Sequence, residues 1–267
     1  MNRRVIFLAI AISNISYADS NFYVDLKGGY DFSIQNSTVS SNSNPLAFKG
    51  DEIPGVYEFQ NVTWKNNFEG GFDAAAAFGF QFDHWRWDFE FLFQNIQRDI
   101  DGDADFVQLA DGGGAVVAPI DVDFPHSENR VWIYSLLLNG YYDFRINAKW
   151  HPFVGGGIGA AWVNSESTVE SGKMLLNNTP INIIEKSPTI SSVPFAWQLK
   201  GGLTYLVNEH LYVEAQYRLF GTTHLSSGSS TITASPNTAR PTPFYVEGQP
   251  VKGLLLNAIE LGLRYVF

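Results

Sequence analysis

Eight stretches of this chain alternate apolar with polar or small residues at every second position, and all eight outrun an ordinary strand: residues 22–34, 68–82, 85–97, 130–144, 150–163, 193–207, 211–222 and 254–267. A period of two places successive side chains on opposite faces of a pleated sheet. Strands of soluble proteins average about 5 to 6 residues, whereas a tilted strand crossing a bilayer needs about 9 to 11. No stretch reaches the roughly 18 to 20 consecutive apolar residues of a spanning helix. A chain like this enters a membrane as strands or not at all.

The connections alternate in length. Residues 83–84, 145–149 and 208–210 make short turns, while 35–67, 98–129, 164–192 and 223–253 make long loops rich in Ser, Asn, Gly, Pro and Asp. Short turns at one rim and long loops at the other are the pattern of an outer-membrane barrel. The predicted fold is all-β: a transmembrane antiparallel up-and-down barrel of eight strands, with four long extracellular loops and three short periplasmic turns. The start of the chain predicts a signal peptide over residues 1–18. Arg3 and Arg4 precede an apolar core at 5–12, and Ser16-Tyr17-Ala18 offers a cleavage site, leaving 19–267 as the barrel domain.

Alternation does not say which face is inside, because a lipocalin-type barrel would turn its apolar face inward. Volume decides. The apolar face carries about two dozen aromatic rings, and a bore of eight strands is only just filled by ordinary side chains. The rings therefore point outward, with Phe22, Phe82, Trp85, Phe144, Trp150, Tyr205 and Phe267 near the short turns. Phe68, Phe93, Trp132, Tyr134, Trp162, Phe195 and Trp197 lie toward the long loops. The inward face then holds Asp25, Lys27, Asp31, Glu69, Asp73, Arg86, Asp88, Glu90, Asp143, Lys200, Glu214, Arg218, Glu260 and Arg264. Unpaired ions in a narrow bore are too costly, so a salt-bridge network is expected, centred on Lys27, Arg86, Glu90, Lys200, Glu214, Arg218, Glu260 and Arg264.

The segment Trp150-His151-Pro152-Phe153-Val154-Gly155-Gly156-Gly157-Ile158-Gly159-Ala160 resembles the proline-aromatic-valine-glycine strand of the opacity-type, OmpA-like outer-membrane surface antigens. Trp197 to Leu203, Glu214 to Arg218 and the ending Glu260 to Phe267 are similar to that superfamily's later strands. The resemblance implies an eight-stranded barrel in the outer membrane, with lipid and lipopolysaccharide as surroundings. It also implies recognition of the terminal Phe267 by the outer-membrane assembly machinery. Members are adhesins, immune-exposed antigens or structural barrels. Unlike the OmpA type, this chain is expected to lack a periplasmic peptidoglycan-binding domain.

Other chemistry is weakly signalled. The net charge of −10 opposes nucleic acid, and the lack of cysteine removes thiol chemistry. His84, His151 and His210 fall at the short-turn rim, while His126 and His224 fall in loops; no Ser–His–carboxylate arrangement shares one face near a rim, and no enzyme activity is expected. Asp99, Asp101, Asp103, Asp105, Asp111, Asp121 and Asp123 suggest calcium, but Ala104 and Ala110 stand where the twelve-residue calcium loop needs Gly and Glu. A solvated acidic loop is the expectation, with cations bridging it to lipopolysaccharide as the alternative. No cofactor or metal site is expected. The function read from the sequence is a surface protein contacting a host or other partner through its loops, with Phe48, Tyr57, Phe59, Phe244 and Tyr245 as candidate contact residues or as anchors folding the loops onto the rim. A narrow solute channel and a lipid-modifying enzyme are the alternatives.

Overall fold

The structure, a computed structural model, describes residues 20–33, 36–44, 46–48, 55–109, 120–167, 169–176, 179–236 and 242–267. The predicted signal peptide and Asp111 lie outside the described residues. Long antiparallel strands carry the architecture: β1 (Ser20–Ser33), β2 (Gly55–Phe82), β3 (Trp85–Leu109), β4 (Ile120–Asp143), β5 (Trp150–Ser165), β6 (Phe195–Leu206), β7 (Leu211–Thr222) and β8 (Leu255–Val266). They pair in the order β1-β8-β7-β6-β5-β4-β3-β2, and β1 also pairs with β2, from Ser20 opposite Phe82 to Asp31 opposite Gly71. The sheet thus closes on itself and keeps no free edge along the wall. At the seam, the Phe267 amide donates to the Phe22 carbonyl at 2.9 Å.

The face rich in rings and branched aliphatics points outward. Phe89, Leu261 and Ile259 are 70%, 65% and 62% exposed, while Glu90, Glu260 and Arg218 on the opposite face are fully buried. Such a belt would aggregate in water and is stable only against lipid. Small residues let the wall close around its contents: a Cβ on Gly157 would overlap the Asn139 side chain in the bore.

The strands run well past the membrane. β2, β3 and β4 have 28, 25 and 24 residues, so segments expected as irregular loops at 35–67 and 98–129 are largely strand. The reason is a second alternation hidden in polar sequence: Tyr57, Phe59, Val62, Trp64, Ile100, Ala104, Phe106, Val122 and Phe124 all turn inward. Loops expected at 164–192 and 223–253 are also ordered. Val169–Leu176, Thr179–Lys186, Ser230–Pro236 and Thr242–Val246 make a separate four-stranded antiparallel sheet.

Two bulges in β2 set its phase. Register shifts fall between Gln60 and Thr63, where Asn61 takes a φ of 50°, and between Phe68 and Gly71. One extra residue swaps the faces of everything beyond it. The second bulge corrects two assignments: Phe68 is buried in the bore rather than part of the outer aromatic girdle, and Glu69 is exposed outside rather than in the lumen.

Candidate functional site

Within the wall the charged residues gather into three connected groups. Nearest the short turns, Arg86 bridges Asp143 at 2.8 Å and Glu214 at 3.3 Å, and Arg264 reaches the same Glu214 oxygen at 3.0 Å. The Arg86 guanidinium lies 4.6 Å from the Tyr141 ring centre and 4.8 Å from that of Phe153; Arg264 lies 4.6 Å from Tyr212. In the middle, Lys200 and Lys27 converge on Glu90 Oε2 at 2.5 and 3.6 Å, with Lys27 also 2.6 Å from Asp25. Toward the loops, Arg218 meets Glu260, Asp31 and Asp73 at 2.7, 3.0 and 3.1 Å. The eight residues singled out from the sequence all belong to these groups; Glu69 does not.

Carboxylates outnumber cations here, so neutral donors complete the network. Tyr23 and Asn139 donate to Asp88 at 3.0 and 2.7 Å, Gln94 donates to Asp31 at 3.0 Å, and Gln198 donates to Glu90 at 2.9 Å. Gln198 and Lys200 on β6 reach Glu90 on β3, and Arg86 on β3 reaches Glu214 on β7, so these bonds tie opposite sides of the wall, whereas Asp88 and Asn139 face each other on neighbouring strands.

Above this charged section the bore turns apolar. Phe68, Leu92, Ile96, Ile133, Val163 and Phe220 from the wall pack with Ile190, Leu225 and Val251 from the loop segments. The loops thereby reach down and stopper the mouth. Above the stopper sits a polar layer around Arg98, which was expected to open a loop and is instead buried. Its guanidinium donates to Asn66 Oδ1 at 2.9 Å, Ser165 Oγ at 3.2 Å and the Pro188 carbonyl at 3.3 Å. The sequence did signal this residue, since Arg98 continues the inward phase of Glu90, Gln94 and Ile96.

The third level is the core of the loop body, where Phe59, Phe106, Phe124 and Phe244 rings meet at centroid distances of 4.9 to 6.4 Å. Of the candidate contact residues, Tyr57, Phe59 and Phe244 are buried in this core, so they anchor the loops and do not face a partner. Tyr245 is 57% exposed. Phe48 pairs through its backbone with Gly55, and its side chain lies outside the described part. Glu185 points into the same core and accepts a hydrogen bond from the Trp64 indole. Burial raises its carboxyl to about 7.

The rim histidines hold turns. His84 Nδ1 and His210 Nδ1 donate to the carbonyls of Asp143 and Val266 at 3.0 and 2.9 Å.

A family described as "Surface antigen" matches residues 12–226, most of the strands just described. The chain belongs to this surface-antigen family. The surface antigen is similar to outer membrane protein PagN of Salmonella typhimurium, with 24% identity over 237 residues covering 88% of each chain. Its fold is similar to Neisserial surface protein A, with 13% identity, a TM-score of 0.46, and coverage of 93% of this chain and 99% of that one. It also matches the Escherichia coli outer membrane protease OmpT, at 11% identity, a TM-score of 0.38, and coverage of 95% and 99%. Family and lipid-facing belt together place the surface antigen in the cell outer membrane as an antiparallel β-barrel.

Proposed function

We propose that this surface antigen is a closed pedestal: an eight-stranded transmembrane barrel whose four long connections form a rigid body outside the cell that contacts a host or other surface partner. The observation that carries this reading is the stoppered bore. Ion pairs fill its lower part, loop residues Ile190, Leu225 and Val251 cap it, and the loop body above has an aromatic core of its own. A conduit has no use for a cap built from its own loops, whereas a display platform gains stiffness from one. The short turns then face the periplasm, residues 1–18 are removed on export, and Phe267 presents the terminal strand to the assembly machinery.

The outer face of the loop sheet supplies a surface of the right kind. An open groove of about 610 Å³ is lined by Ser171, Lys173, Asn182, Ile184, Thr233 and Ser235, and Ile184 and Tyr245 expose apolar area beside polar hydroxyls and amides. Aromatic and aliphatic anchors within a polar rim suit protein contact. Whole cells carrying variants in which each long loop is replaced by a short turn test the proposal. Partner-cell binding falls when the loop sheet is removed while the barrel still shows heat-modifiable gel mobility; unchanged binding in all four variants overturns it. Planar-bilayer recording separates the channel reading, since a stoppered barrel stays silent and steady openings refute the pedestal. An unaltered lipid A mass spectrum on deletion of the gene is the outcome expected against a lipid-modifying enzyme.

A further inference from the structure

Just beyond the aromatic girdle, the outward face of β2, β3 and β4 carries a cluster that the surface role leaves unexplained. Asp99 on β3 lies opposite Glu128 on β4, and His126 precedes Glu128 by two residues on the same strand. One donor atom each from Asp99, His126 and Glu128 lies within 4.8 Å of the other two. His126 Nε2 stands 3.8 Å from Glu128 Oε1, while its Nδ1 is 2.8 Å from Asp101 Oδ1. Glu69, thrown outward by the bulge in β2, brings a further carboxylate against Asp99. Among the described residues no lysine or arginine forms an ion pair with Asp99, Asp101 or Glu128.

We propose that Asp99, His126 and Glu128 form a site for a divalent metal ion of the zinc class. Three features argue for a metal over a merely acidic surface. The donor set mixes an imidazole with two carboxylates, a combination suited to zinc and unlike the all-oxygen shells of calcium and magnesium. Asp101 occupies the outer position found in carboxylate–histidine–metal arrangements: in the neutral imidazole that donates from Nδ1–H to Asp101, the Nε2 lone pair faces Glu128 and is open to a metal. Asp99 and Glu128 are also held opposite each other on two hydrogen-bonded strands, with His126 beside them at a register shift in β4, so small rotamer changes bring the donors to the roughly 2.0 to 2.2 Å bonds of a tetrahedral ion. Three protein donors leave a fourth position open to water or to a ligand atom from outside. A contiguous loop motif does not reveal this site, because its donors come from two segments that meet only when β3 and β4 pair.

Isothermal titration of zinc chloride into the full-length protein folded in detergent tests the site. One zinc per chain with micromolar affinity is expected, with a loss of at least about tenfold in His126→Ala and Asp99→Asn. Asp101→Asn, which touches only the outer partner, loses about tenfold or somewhat more. His126 and Asp101 are exposed and Asp99 is half-buried, and unchanged heat-modifiable mobility verifies folding. Absence of zinc heat overturns the proposal. So does zinc binding that His126→Ala leaves intact, which would point to other histidines, or calcium binding of equal strength, which would mark a plain acidic patch.

Discussion

The same three strands, β2, β3 and β4, bury opposite kinds of residue on either side of the water–lipid boundary. Along β3 the inward positions run Arg86, Asp88, Glu90 and then Leu92, Ile96, Ile100, Ala104 and Phe106, while the outward positions run from Trp87, Phe89 and Phe91 to Asp99 and Asp101. The strand does not break; its solvent changes. In lipid the rings must face out and the ions must find each other inside, whereas in water the same faces exchange contents. Cohesion therefore has different origins: paired charge in the barrel, apolar packing in the loop body.

Removing one member of each core sharpens this contrast. Arg218→Ala is expected to have the largest effect, about 3 to 5 kcal/mol of barrel stability, because Asp31, Asp73 and Glu260 lose their shared cation in a site without water access. Urea unfolding from lipid vesicles, followed by tryptophan emission, measures it. A loss below about 1 kcal/mol would mean that the charged section does not hold the wall. In the loop body, Phe59→Ala vacates the centre of the aromatic cluster and costs about 3 to 5 kcal/mol locally. Limited proteolysis should then cut the loops while the barrel keeps its heat-modifiable mobility. If both parts unfold together, the two cores are one cooperative unit and the comparison fails.

These regions were not equally legible in the sequence. The wall strands show plainly because lipid on one side and ions on the other exaggerate a period of two, and the inward ions from Lys27 to Arg264 follow from phase alone. Pairing partners do not: Arg218 meets Asp31 across 187 positions of chain. Phe68 and Glu69 were misassigned because a bulge changes phase without changing composition. The loop body was hidden for another reason. Its apolar residues are diluted by Ser, Asn and Asp on the water-facing side, which reads as loop chemistry although the alternation persists. The aromatic residues proposed as contacts were visible as unusual, yet their direction depended on strands that only tertiary pairing creates.

Glu185 offers the subtlest way to separate the cores, through pH. Its carboxyl lies among Ile181, Ile183 and Ile232, with the Trp64 indole as donor and Glu170 as its cross-strand neighbour. Burial raises it from 4.5 to about 7, so the folded loop body favours the neutral acid. The sign follows: below about pH 4.5 the group is protonated folded or unfolded and carries no penalty. As pH rises toward 7 the unfolded chain ionises freely while the folded one resists, and stability falls until the folded group has ionised as well. At about 1.4 kcal/mol per unit the full penalty is about 3 kcal/mol, present above pH 7. Glu185→Gln keeps an oxygen for the indole and removes the charge. Thermal unfolding of the loop body followed by Trp64 emission should therefore show the variant equal to wild type near pH 4.5 and more stable near pH 8. A variant that gains nothing at pH 8 would mean that water reaches this carboxylate, and that the loop core is less dry than its aromatic packing indicates.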